Sequence, residues 1–435
     1  MGGIRQHHLR IHRVRAGAGR RRVAAAAVAA ALALTGAACG DSDPEPDAGG
    51  ETGADASLLG ARQPASGEPV KVGFVSDGRT PSFDNTIQIR VAEAMADYFN
   101  DYRGGIGGRP IEIVPCETAA DPGKAADCAA ELVQENVVVT VLGESASLGG
   151  VWNTLHDAGI PVFFYASTEA APMLDKDSTF ALVSQIAGLA DVPIAVAKRN
   201  DVGKVTVVVI DVPVATGFYE AVGGQFFADA GIELELVKIP PGTADMTSQM
   251  ARVASGDPTA VHIIGNDAFC VAAINGLNAA GFTGPVSVVN QCVTDSSREA
   301  LGSRLEGTIM STPIVVGDWD NPDMARYKAI VETYAPGEVD LSNAMGPTIY
   351  MTMTALRDAL DGISGEITPK SIIETIRSAP EKPLPGSGGL TFRCDGTAYP
   401  ITPAVCTRGS MVTELDGEGQ PTLPYRSLAD FQNGA

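Results

Sequence analysis

Four hydroxyls in two loops are the side chains of this 435-residue chain best placed for chemistry: Ser145 and Ser147, then Ser167 and Thr168. One reading is nucleophilic. Gly143-Glu144-Ser145-Ala146-Ser147 falls one residue short of a G-x-S-x-G elbow, with Ser147 in place of the final Gly. That chemistry needs a histidine that reaches the serine. His156 stands eleven residues on, about three helical turns away, and His262 falls inside an apolar run, so neither suits the role. The other reading is capture without reaction. Hydroxyls beside the free amides of a helix start form a cradle for a small carboxylate. Ser147 would also serve as a plain helix cap.

The flanking residues say what holds these loops. Residues 137–142 (VVVTVL) contain four Val, the pattern of a parallel strand buried on both faces. The first loop, 143–147, leads into a helix over 148–158, which Gly159 stops because glycine reaches left-handed φ at no steric cost. A second apolar strand, 161–164, ends in the loop 166–168. In an open α/β sheet, ligands settle beyond the carboxyl ends of the strands. Two neighbouring strands therefore deliver Ser145, Ser147, Ser167 and Thr168 to one edge. Tyr165 and Phe83 are candidates to stack on a ligand, though aromatics at strand ends are as often core. Trp152, on the apolar face of its helix, reads as packing.

The rest of the chain repeats the alternation. A strand at 70–75 precedes a helix over 85–102, whose Ile87, Val91, Ala94, Met95, Tyr98, Phe99 and Tyr102 share one face. Gly104-Gly105-Ile106-Gly107-Gly108 follows a helix and precedes a strand, the wrong order for a phosphate loop, and reads as a turn. Asp121-Pro122 marks a helix start with Asp as N-cap and Pro at the first position. A crossing near 185–188 opens a second run. It has a helix over 188–199, strands at 204–210, 233–238, 260–264, 286–289 and 307–311, and a single helix over 216–230. Thr312-Pro313 marks the return, after which helices over 321–334 and 342–361 pack back on the first half. At this length two cores are expected. The fold class is α/β, with two doubly wound, Rossmann-like lobes.

Arg20–Arg22, an Ala/Leu run over 23–34 and the small residues before Cys39 make a secretory signal over 1–38. The run is too short for a permanent membrane helix. Cys39 sits as in a bacterial lipobox, with Gly36 where Leu is usual, and is the expected site of lipidation. Residues 39–69, poor in large apolar groups, then read as a flexible linker. The other six cysteines fall into local pairs, Cys116–Cys128, Cys270–Cys292 and Cys394–Cys406, expected as disulfides in an exported chain. Zinc-type spacing is absent, so neither a metal nor a cofactor is expected. Losing the seven arginines of the leader leaves 24 basic against 52 acidic residues, a net charge of −28. Such a surface repels phosphate backbones, which excludes nucleic acid as a partner.

The segments VKVGFVSDG, GGIGGRPIEIVPCETAADPGKAADCAAELV, AGIPVFFYAST and ITPKSIIETIRSA, in this order, resemble the type I periplasmic binding proteins, in the branched-chain amino acid group that serves ABC importers. The resemblance implies two lobes joined by three crossings that close on a ligand. On that plan residues 70–187 and 313–388 form lobe 1, 188–312 and 389–415 form lobe 2, and 416–435 is a mobile tail. It implies that Ser145 or Ser147, with Ala166 and Thr168, hold a ligand carboxylate. Where the family often has a Tyr and an acid in its second lobe, this chain has Thr216 and Gln291-Cys292. Asp267, which also suits helix capping, is then the candidate partner for a ligand amine. The implied function is an extracytoplasmic, lipid-anchored monomer, not an enzyme. It would bind an amino acid or related carboxylate or amide and pass it to an ABC permease and ATPase, with a sensor subunit as the alternative and a serine hydrolase as the remote one.

Overall fold

The computed structural model describes residues 56–80, 84–315, 317–341 and 343–434, without the side chains of 56, 213 and 214. The expected leader, Cys39 and Phe83 lie outside the described residues. The first half runs β1 (Val70–Ser76), α1 (Thr86–Tyr102), β2 (Ile111–Glu117), α2 (Pro122–Gln134), β3 (Val139–Leu142), α3 (Leu148–Asp157), β4 (Val162–Phe164), α4 (Ala170–Leu174) and β5 (Thr179–Ala181). Its strands form one parallel sheet in the order β2-β1-β3-β4-β5. Every residue of β3 is buried, as its valine-rich run requires. Asp121 caps α2 by accepting from the Lys124 amide, with Pro122 at the first turn.

The second half runs α5 (Val192–Arg199), β6 (Lys204–Ile210), α6 (Pro213–Phe218), α7 (Gly224–Asp229), β7 (Glu233–Ile239), α8 (Thr247–Ala254), β8 (Ala260–Ile264), α9 (Asp267–Ala279), β9 (Val286–Val289), α10 (Asp295–Leu301) and β10 (Ile309–Thr312). The parallel strands β7-β6-β8-β9-β10 repeat the order of the first sheet. The chain then returns. Helices α11 (Pro322–Tyr334) and α12 (Met345–Ala359) pack on α1, α13 (Pro369–Ser378) packs on α12, and β11 (Lys382–Pro383) pairs with β12 (Thr391–Phe392). Last come β13 (Met411–Glu414), β14 (Arg426–Ser427) and α14 (Leu428–Asn433). The three disulfides join Cys116 to Cys128, Cys270 to Cys292 and Cys394 to Cys406.

Four sequence expectations need correction. Residues 57–69, taken as linker, are docked on the first half: Leu59 is buried, the Leu58 and Leu59 carbonyls accept from Arg326 and Tyr98, and the mostly exposed residues beyond are held by backbone bonds from Gln63, Ala65 and Ser66. The stretch 389–406 lies along the first sheet and not the second. Val405 bridges Ala181 in parallel, and the Ala181 amide bonds the Ala404 carbonyl. The third crossing therefore falls after Cys406. The tail is no free end, because β13 pairs antiparallel with β10 and β14 with β13, while α14 buries Leu428 and Phe431. Finally, the helix over 216–230 is interrupted by a π-turn at Tyr219–Gly223, and another π-turn, Ala187–Asp191, precedes α5. The Tyr219 hydroxyl donates to the Leu189 carbonyl at 2.6 Å, tying the two wide turns together.

Candidate ligand-binding cleft

In sheets of this strand order the ligand position lies where the order reverses, beyond the strand carboxyl ends. In the first sheet that point falls between β1 and β3, and in the second between β6 and β8. The loops there wall a cleft of about 550 Å³, with Gly143, Glu144 and Ser145 on one side and Val212 and Gly265 on the other, joined by Asn290 after β9. All three connecting segments reach it, through Gln185 and Gly188, Pro313, and Gly409 and Ser410.

The cleft gathers Ser145, Tyr165, Ala166, Ser167, Thr168 and Gln291 onto its walls. Ser145 Oγ accepts from the Ser147 amide at 3.3 Å and Ser167 Oγ from the Glu169 amide at 3.0 Å. Each hydroxyl is thus oriented by its own loop and keeps a proton to donate. Three other candidates stand elsewhere. Ser147 occupies the N-cap position of α3 outside the cleft lining and makes no side-chain cap bond. Thr216 is buried within α6, its hydroxyl turned back to the Val212 carbonyl at 3.3 Å, as threonine does in a helix. Asp267 begins α9 behind the true cap Asn266, and its carboxylate accepts from the Ala268 amide and the Thr294 hydroxyl.

Several of the expected free amides are also taken. Gly149, in the first turn of α3, donates to Glu169 Oε1 at 3.0 Å, and Ala146 donates to Asp77 Oδ2 at 2.9 Å. Asp77 is itself buried and accepts from the Thr118 hydroxyl. The sequence reading passed over Glu144, inside the first loop it chose, and Glu169, the residue directly after the second. It also passed over Gln88, Ser184 and Ser311, which carry no local signal. Although Glu144 is exposed to the cleft, partial loss of water and then the Asp77 carboxylate raise its pKa above the ordinary value. Burial, followed by Glu144, raises that of Tyr165, so the phenol stays neutral.

Neither described histidine serves Ser145. His156 lies against Trp152, with ring centroids 4.6 Å apart and planes tilted by 32°, and approaches Asp175 at 3.9 Å. His262 is fully buried in β8, with Nδ1 2.8 Å from Ser287 Oγ. Trp152 packs as expected, its Nε1 donating to Thr179 at 2.8 Å.

The family model described as periplasmic binding protein matches residues 69–410, and the chain belongs to that family. Its members are substrate-binding proteins, not enzymes. No curated protein matches the chain. Among solved structures, one described as a branched-chain amino acid ABC transporter from Rhodospirillum rubrum is 16% identical, with 83% of this chain and 100% of that one covered and a TM-score of 0.67. The branched-chain amino acid transporter substrate-binding protein LivJ from Streptococcus pneumoniae, in complex with isoleucine, is 15% identical over 83% of this chain and 99% of that one, with a TM-score of 0.60. An R. palustris solute-binding protein in complex with benzoate is 18% identical over 82% and 96%, with a TM-score of 0.56. The two-lobed fold is theirs.

Proposed function

We propose that this chain is an extracytoplasmic solute-binding lipoprotein. It captures a small polar metabolite, of the kind spanned by amino acids and related carboxylates and amides, and delivers it to an ABC importer. The observation that carries this reading is one cleft walled by the switch points of both sheets and floored by all three connecting segments. Such a site is completed only when the lobes approach, so ligand shifts the population toward the closed form. The hinge then lies near 184–191, 313–321 and 407–410, and the protein acts as a monomer, tethered through Cys39 to the outer face of the membrane.

A thermal-shift screen of small metabolites tests the reading. A ligand held at a hundred times its Kd stabilises the folded state by about 2.7 kcal/mol. At least one amine, amide or carboxylate metabolite is expected to raise the melting temperature by several degrees. A melting temperature unmoved by every compound at millimolar concentration would contradict solute capture.

A further inference from the structure

From the charges and occupied amides of the cleft we infer that its ligand is a small organic ammonium ion without a carboxylate group, such as a primary amine or polyamine. The inference rests on the solute-binding reading above and places its ligand among amines and amides rather than carboxylates. A carboxylate docks at a first-lobe loop when amides and hydroxyls there are free to donate. Here three of those amides already have acceptors within the chain, which leaves the Ser145 and Ser167 hydroxyls as the donors of these loops. Ala146 donates to Asp77 at 2.9 Å, Ser147 to Ser145 Oγ at 3.3 Å and Gly149 to Glu169 Oε1 at 3.0 Å. The protein supplies its own anion at the start of α3. Glu169 sits so close over this turn that a Cβ on Gly149 would stand 2.1 Å from its Oε2.

The charge of the walls points the same way. Among the described residues lining the cleft, Glu144 and Glu169 are the only charged side chains, and neither Lys, Arg nor His is among them. A ligand carboxylate would face two like charges with no cation to offset them, in a partly dehydrated space where repulsion is strong. An ammonium group meets the reverse: two carboxylates, and beside Glu144 the ring of Tyr165, whose face attracts cations. The nearest arginine in sequence, Arg408, lines a neighbouring cavity behind the hinge, which shares Gly409 and Ser410 with the cleft, together with Lys198, Asp191 and Asp229. The acidic chain as a whole, at −21 before any processing, draws cations toward it and speeds their encounter.

Isothermal titration with matched pairs tests this: argininamide against arginine and leucinamide against leucine, with putrescine and spermidine against glutarate and benzoate. The amine of each pair is expected to bind at least tenfold more tightly than its carboxylate counterpart, and to weaken as salt is raised. Glu144→Gln, a change at an exposed position, is expected to keep the melting temperature and to lower amine affinity at least tenfold. Glu169→Gln is expected to narrow the preference by removing the built-in anion. Carboxylates that bind as tightly as their amine partners, or amine affinity untouched by Glu144→Gln, would overturn the ligand class and leave solute capture standing. Binding of no compound from either set would overturn both.

Discussion

Replacing Ala166 by Trp is expected to weaken ligand binding at least 100-fold while the protein folds normally. Ala166 is half-buried on the first-lobe wall of the cleft, between Tyr165 and the Ser167 hydroxyl. An indole there takes up ligand space and stands between lobes that must approach. A 100-fold loss corresponds to about 2.7 kcal/mol, a modest demand when both contact and closure are blocked. Ala166 lines the cleft beyond the end of β4, whose Val162, Phe163 and Phe164 are buried, and it also rests against the core, so a melting curve of the variant accompanies the titration. Titration calorimetry with the tightest compound of the metabolite screen gives the answer. Unchanged affinity would mean that the solute binds elsewhere, and the cavity behind the hinge would become the first place to look.

The second large effect concerns stability and acid. Burial lowers the His262 pKa to about 3 from an ordinary value near 6.5, because the imidazolium cannot be hydrated within β8. Below pH 6.5 the unfolded chain takes up a proton that the folded chain refuses. The stabilising contribution is therefore complete above pH 6.5 and is lost as the pH falls toward 3. Between pH 7.5 and 4.5 this one residue is expected to remove roughly 2.5 kcal/mol of folding stability, at 1.36 kcal/mol per pH unit once the unfolded form is protonated. Carboxylates titrate in the same window, so the comparison is with His262→Gln, which keeps a polar partner for Ser287. Urea unfolding at the two pH values should show a drop smaller in the variant by that amount. Equal drops in both proteins would show that His262 accepts its proton in the folded state.

The parts of the fold visible in the sequence are those fixed by local periodicity. The valines of β3, the apolar face of α1 and the Asp121-Pro122 start of α2 each bury or cap as their spacing requires. The α4 and β5 segments, of five and three residues, are too short for a period to emerge. The third crossing was misplaced because it depends on Val405 pairing with Ala181, a contact distant in sequence. The π-turn at Tyr219–Gly223 leaves no mark on the apolar pattern; its partner, the Leu189 carbonyl, belongs to another segment. The site divides the same way. Strand-end position brought Ser145, Tyr165, Ser167 and Thr168 to the cleft, and the family resemblance added Ala166. Position could not show that Glu169 folds back on Gly149, nor that Thr216 turns inward to its own helix. Loop backbones follow strand ends, while the direction of a loop side chain is settled by partners the sequence does not name.

The central claim is that two lobes close on one small molecule. Small-angle X-ray scattering of the purified extracytoplasmic chain, with and without the tightest compound from the screen, tests it most directly. A measurable fall in radius of gyration on saturation, absent in Ala166→Trp at the same ligand concentration, is the expected result. Superimposable scattering curves for the free and saturated wild-type protein would contradict it.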